Sequence, residues 1–119
     1  MRTYHATNEI FEAFDFSRLG EFTEANSAPE EAVRMAKLGV WLSDKPLDKA
    51  MGTSHVIEVE LSLDGRNVAH VTLDELWQGT IIDDLADADI IEVEDTEFGC
   101  ISYIVTEAAK DAMTIVDAR

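Results

Sequence analysis

Cysteine is nearly absent: Cys100 stands alone, so no disulfide can close within the chain. A solitary thiol fits a reducing compartment. Set in the apolar run from Phe98 to Val105, it reads as a buried structural thiol rather than a nucleophile. Basic residues are scarce too, nine against 25 acids, for a net charge of −16. Such a surface repels nucleic acid and anionic membrane, which excludes direct binding of either. No stretch approaches the roughly 18 apolar residues of a membrane helix. Met1-Arg2 leads directly into polar and aromatic residues, so no secretory leader is expected. Three histidines and one cysteine lack the spacing of a zinc site, so no metal is expected. Repeats, linkers and low-complexity segments are also missing.

What is present is enough for one core. The chain has 119 residues, 46% of them hydrophobic, which suits a single domain over 1–119. The charge is uneven. Residues 1–49 carry six bases and nine acids (−3), whereas residues 50–119 carry three bases and 16 acids (−13). The acidic second half suits a partner with a basic protein surface, or serves solubility alone.

Residues 3–7 read as a first strand, with Ile10, Phe11, Phe14 and Phe16 pinning it to the core from a turn or short helix. Residues 17–28 are small and polar, a loop. Pro29 opens a helix, Glu30 and Glu31 suit its positive end, and Gly39 stops it. Residues 40–43 form a second strand, broken at Asp44-Lys45-Pro46, and a short helix is expected over 47–51. Apolar and polar residues then alternate through 54–63, predicting a strand with one wet face, closed by the turn Asp64-Gly65. A strand over 68–71 precedes the capping-box spacing Thr72-Leu73-Asp74-Glu75, which predicts a helix over 73–78. Another short helix is expected over 80–86. Residues 90–94 and 99–105 predict two strands paired through the turn 95–98, and a small-residue stretch leads to a last strand over 113–116. Short strands and helices without βαβ alternation predict an α+β fold.

Three pieces carry chemistry-bearing side chains: Tyr4-His5-Ala6-Thr7, Trp41-Leu42-Ser43, and the acids around Asp95. Their order resembles the ADP-ribosyltransferase superfamily in its small phage and toxin forms. Those chains open with a hydrophobic residue and His-Gly-Thr or His-Gly-Ser. A phenylalanine segment and a glycine follow, resembled here by Phe11, Phe14, Phe16 and Gly20. An aromatic-x-Ser/Thr strand comes next, matched by Trp41 and Ser43, then a helix with a central alanine like Ala50 and an alternating strand like 57–63. The late segment Glu92-Val93-Glu94-Asp95, followed by Gly99, is similar to that of the small acidic anti-CRISPR ADP-ribosyltransferases. Two departures stand out: Ala6 replaces the usual glycine, and an aspartate stands where many transferases use glutamate.

The resemblance implies an ADP-ribosyltransferase-like fold of two small packed antiparallel or mixed sheets with short helices. It implies NAD as cofactor and mono-ADP-ribosylation of a host protein with a basic surface, in the host cytoplasm. The target it points to is a nucleic-acid-binding subunit of a CRISPR surveillance complex. Asp95 takes the catalytic acid position, with Glu97 or Glu94 as the alternative, because a carboxylate stabilises the positive charge that grows on ribose as the nicotinamide bond breaks. His5 and Thr7 bind the ribose hydroxyls, Tyr4 or Trp41 packs against a ring, and Ser43 supports the acid or the ribose. Arg2, Arg18 and Lys45 are the bases nearest the expected pocket, to offset the pyrophosphate charge. A non-enzymatic acidic inhibitor that mimics DNA is the other reading, favoured by the base-free run from Asp83 to Glu97. A toxin acting on a bacterial protein is a third.

Overall fold

The computed structural model of the chain describes residues 1–7, 11, 13–19, 30–47, 53–79, 81–85, 87–95 and 99–118, and for Arg18, Glu31, Asp95 and Ala118 the backbone alone. Its strands are β1 (Arg2–Thr7), β2 (Val40–Ser43), β3 (His55–Leu61), β4 (Val68–Thr72), β5 (Ile90–Asp95), β6 (Cys100–Val105) and β7 (Met113–Ala118). Between them lie helices α1 (Glu30–Ala36) and α2 (Leu73–Gln78), with 3-10 turns at Phe16–Arg18, Asp83–Leu85 and Glu107–Ala112. This is the α+β class that the pattern predicts. The helix expected over 80–86 is reduced to the single turn Asp83–Leu85, and the small-residue stretch before β7 is itself a 3-10 helix. Residues 48–51 of the helix expected over 47–51, the turn residues 96–98, Ile10, Gly20 and Pro29 lie outside the described residues.

The strands form one sheet in the order β4-β5-β6-β2-β1-β3-β7, not the two separate sheets expected. The two groups nonetheless meet at a narrow seam. β1 and β2 share one paired position, Tyr4 opposite Ser43, whereas every other neighbouring pair shares at least four. All pairs are antiparallel except β4 with β5. A parallel pair needs a crossover of about a dozen residues or more, and α2 with the turn Asp83–Leu85 supplies it. One βαβ unit therefore sits in a chain whose pattern shows no βαβ alternation.

Alternate residues of each strand feed two cores. One gathers Val40, Leu42, Ile57, Val59, Leu61, Ile90, Tyr103 and Val105, with Phe11, Phe14 and Phe16 packed against it, and so draws on strands from both sides of the seam. The other lies beneath α1 and α2, where Met35, Leu73, Leu76 and Leu85 cover Ile91, Val93 and Ile104. Burying each Leu or Ile side chain contributes about 1.5–3 kcal/mol. On β3 the wet face is only half wet. Glu60 is exposed, but Glu58 is 9% exposed, its carboxylate 2.9 Å from the Arg2 guanidinium.

Local signals decide the helix ends. The Thr72 hydroxyl accepts from the Glu75 N–H and the Glu75 carboxylate accepts from the Thr72 N–H, the predicted capping box, and Gly79 at φ 74° closes α2. Gly39 has another reason to be glycine. A Cβ there would overlap the Val105 carbonyl, so the residue permits close approach of β6 rather than a left-handed cap.

Candidate functional site

The seam between β1 and β2 is where two of the sequence motifs meet. Next to the Tyr4–Ser43 position no further ladder pairs form, and a side chain takes their place. The His5 ring nitrogen Nδ1 lies 2.8 Å from the Trp41 carbonyl oxygen. A carbonyl only accepts, so Nδ1–H donates, and in the neutral ring Nε2 is left as an acceptor. Burial pushes the His5 pKa below 6.5, and the carbonyl bond opposes that shift without cancelling it. Phe14 and Phe11 meet the ring edge-on, with centroids at 5.1 and 6.0 Å, and fix its plane. On the other strand the Ser43 hydroxyl donates to the Lys45 carbonyl at 2.7 Å and lies 3.3 Å from the Tyr4 carbonyl. Each motif thus binds the backbone of the other.

Register sorts the expected site residues onto faces, because directly opposed residues of a sheet share a face. His5 stands opposite Ile57 and Thr7 opposite His55, on the side of the core that spans the seam. Tyr4 stands opposite Glu58 and Ser43, and Ser43 opposite Ser102, on the other side. Trp41 stands opposite Ile104, packs on the core beneath the helices, and donates its indole N–H to the Met35 carbonyl at 3.0 Å. The structure therefore joins His5 to the Trp41 backbone but does not bring the His5 ring to the face of Tyr4, Trp41 and Ser43.

Asp95 ends β5 opposite Cys100, which is two residues from Ser102, so it stands on the Ser43 side of the sheet and not, as expected, facing His5. Two strands, β6 and β2, separate β5 from β1, so Asp95 is about 14 Å from β1 across three strand spacings. Glu97 lies outside the described residues. Glu94, the other alternative, is exposed opposite Ile101. Of the bases expected to offset a pyrophosphate, Arg2 is engaged by Glu58 and Glu60, at 2.9 and 3.3 Å. Lys45 reaches the hairpin of Asp95, its Nζ 2.9 Å from the Gly99 carbonyl. Arg18 is described by its backbone alone.

Two features escaped the sequence reading. His55 stands opposite Thr7, which makes the rim at that end of β1 richer in imidazole; its place at the start of the alternating run was the available signal. His70, Glu92 and Tyr103 form a row across β4, β5 and β6, with His70 Nδ1 3.1 Å from Glu92. Burial, followed by the Glu92 charge, raises the Tyr103 pKa above 10. Nothing along one strand marks such a row, since it exists only through pairing.

A shallow apolar cleft of about 220 Å³ is lined by Phe14 together with Ala13, Phe16, Lys110, Met113 and Ile115. Ligand pockets usually measure about 300–1,000 Å³, so this cleft suits one ring rather than a dinucleotide. Among the described residues no three His, Cys, Asp or Glu side chains are grouped to hold a metal, and no helix is long and apolar enough to cross a membrane. Cys100 is buried, its sulfur 3.9 Å from the Ser102 hydroxyl. No protein-family model, no curated protein and no solved structure matches the chain.

Proposed function

We propose that the chain is an ADP-ribosyltransferase-like enzyme of phage or mobile-element origin that uses NAD to modify a host protein, with a nucleic-acid-binding subunit of a CRISPR surveillance complex as the target class. The observation that carries this is the β1–β2 seam, where His5 is bonded to Trp41 and Ser43 lies against Tyr4. Residues 36 positions apart, singled out for their resemblance to one family, are thereby tied at a single junction.

The donor set suits part of a dinucleotide. The unprotonated Nε2 of His5 accepts from a ribose hydroxyl, and Thr7 on the same face offers a second polar group. When bound, NAD supplies the cleavable nicotinamide–ribose bond. The resemblance gives the carboxylate that favours the positive charge developing on ribose to Asp95, with Glu97 or Glu94 as the alternative. Register puts Asp95 on the Ser43 side and Glu94 on the His5 side, so Glu94 is the acid that shares a face with His5. Trp41 is not assigned to ring stacking, since the Met35 carbonyl and the core beneath the helices already hold its indole. Ser43 and Tyr4 instead hold β2 against β1.

Incubation with labelled NAD and host lysate tests this. A labelled protein band is expected, together with a melting temperature raised by NAD. Asp95→Ala or Glu94→Ala should abolish labelling while leaving the melting temperature of the free protein within a few degrees, and which one does so identifies the acid. No label and no thermal shift would remove the enzyme reading. The acidic-inhibitor reading has one observation of its own. Asp83, Asp84 and Asp87 are all exposed in a stretch, 67–109, that contains neither lysine nor arginine. It requires salt-sensitive binding to a basic partner that needs no NAD and survives Asp95→Ala.

A further inference from the structure

Among the described residues the large apolar side chains left exposed are Met1, Trp77 and Val116. Trp77 is 43% exposed at the border of the buried stripe of α2, four residues after Leu73 and next to Leu76. Tryptophan carries more apolar area than any other side chain and is enriched at binding hot spots. Its surroundings are mostly acidic. Asp74 lies one helical turn before it on the exposed face, and Asp83 and Asp84 are exposed in the turn that follows α2. Arg34 connects these elements, lying near Gly79 at the end of α2 and 4.0 Å from Asp83. Both members of that pair are exposed, so it contributes little and opens readily.

We propose that this face of α2, centred on Trp77, docks an arginine-rich segment of a protein partner. Charge decides the class of occupant. Between Arg66 and Lys110 the chain has 11 acids and no lysine or arginine, which repels phosphate-bearing partners and attracts cationic ones. The indole decides between the cations. A guanidinium stacks flat on an aromatic face while its edge N–H groups reach carboxylates in pairs, whereas an ammonium ion is a strongly hydrated point charge. The surface goes beyond the transferase reading and stands without it, because no dinucleotide enters its test.

Calorimetric titration of the whole protein with an oligo-arginine peptide and an oligo-lysine peptide of equal length, at physiological salt and without NAD, tests the proposal. Oligo-arginine is expected to bind several-fold more tightly. Trp77→Ala should weaken it by about tenfold, and Trp77→Phe should retain most of the affinity. Trp77 is more than half buried, so Trp77→Ala should lower the melting temperature by a few degrees and Trp77→Phe by less, and the titrations are run well below both midpoints. Equal affinity for the two peptides, or an affinity untouched by Trp77→Ala, would overturn the proposal and leave only non-specific attraction to an anionic surface.

Discussion

His5 combines three features at one residue: a donor for the Trp41 carbonyl, a ring edge for Phe11 and Phe14, and an Nε2 left as an acceptor. Only the neutral ring meets all three, which gives a pH signature. The folded pKa lies below the ordinary 6.5, so the unfolded chain takes up the proton more readily. The contribution of His5 is therefore fully present above pH 6.5 and is lost as pH falls through the lowered folded value. Carboxylates respond in a lower window. Glu60 is held down by the N-terminal ammonium and Arg2, and Asp111 by Arg66, so their contributions fade only below the ordinary carboxylate values near 4. Urea midpoints taken between about pH 7 and pH 5 should fall in the native protein. In His5→Gln the same series should be flatter, because glutamine donates to the carbonyl without titrating. A native series flat over that range would show that the ring is not held neutral by the fold.

At the level of elements, two glycines and one cap separate sequence-legible structure from structure set by neighbours. The capping box of α2 is written in four consecutive residues, and it forms as read. Thr72→Ala should cost about 1 kcal/mol in a urea titration. Gly39 could be read as a helix stop, but its real constraint is the Val105 carbonyl, 66 positions away in the chain. Gly39→Ala should therefore cost about 3 kcal/mol, since backbone and not a flexible side chain must yield. Gly79→Ala should cost only about 1 kcal/mol, through its left-handed φ, because the one close neighbour of a new Cβ is the Arg34 side chain. The same contrast explains which elements were legible. Strand β2, the β5–β6 hairpin and α2 follow from local period and caps. The parallel β4–β5 pair, the single sheet and the burial of Glu58 under Arg2 depend on which strands meet, and no one strand records that.

For the whole molecule, the expected site was legible as a set of residues and illegible as an arrangement. The residue types at 4–7, 41–43 and 92–95 mark chemistry, but faces are assigned by register, and a one-residue change of register reverses them. Tyr4 opposite Ser43 places His5 and Ser43 on different faces. Net charge, in contrast, is legible in full and acts on the whole fold. At −16 the acids repel one another across the surface, while cationic partners such as Arg2 for Glu60 and Arg66 for Asp111 form exposed or half-exposed pairs. Those pairs contribute little and lose little in salt. Self-repulsion is long-ranged and loses more, since the screening length shrinks from about 30 Å at 0.01 M salt to about 10 Å at 0.1 M. The melting temperature should therefore rise by a few degrees over that interval in sodium chloride, the opposite of a fold held by surface ion pairs. Arg2→Gln should melt lower than the native protein at both concentrations, because the buried Glu58 carboxylate loses the guanidinium charge 2.9 Å away. A melting temperature that fell with salt would mean that the ion pairs outweigh the repulsion among 25 acids.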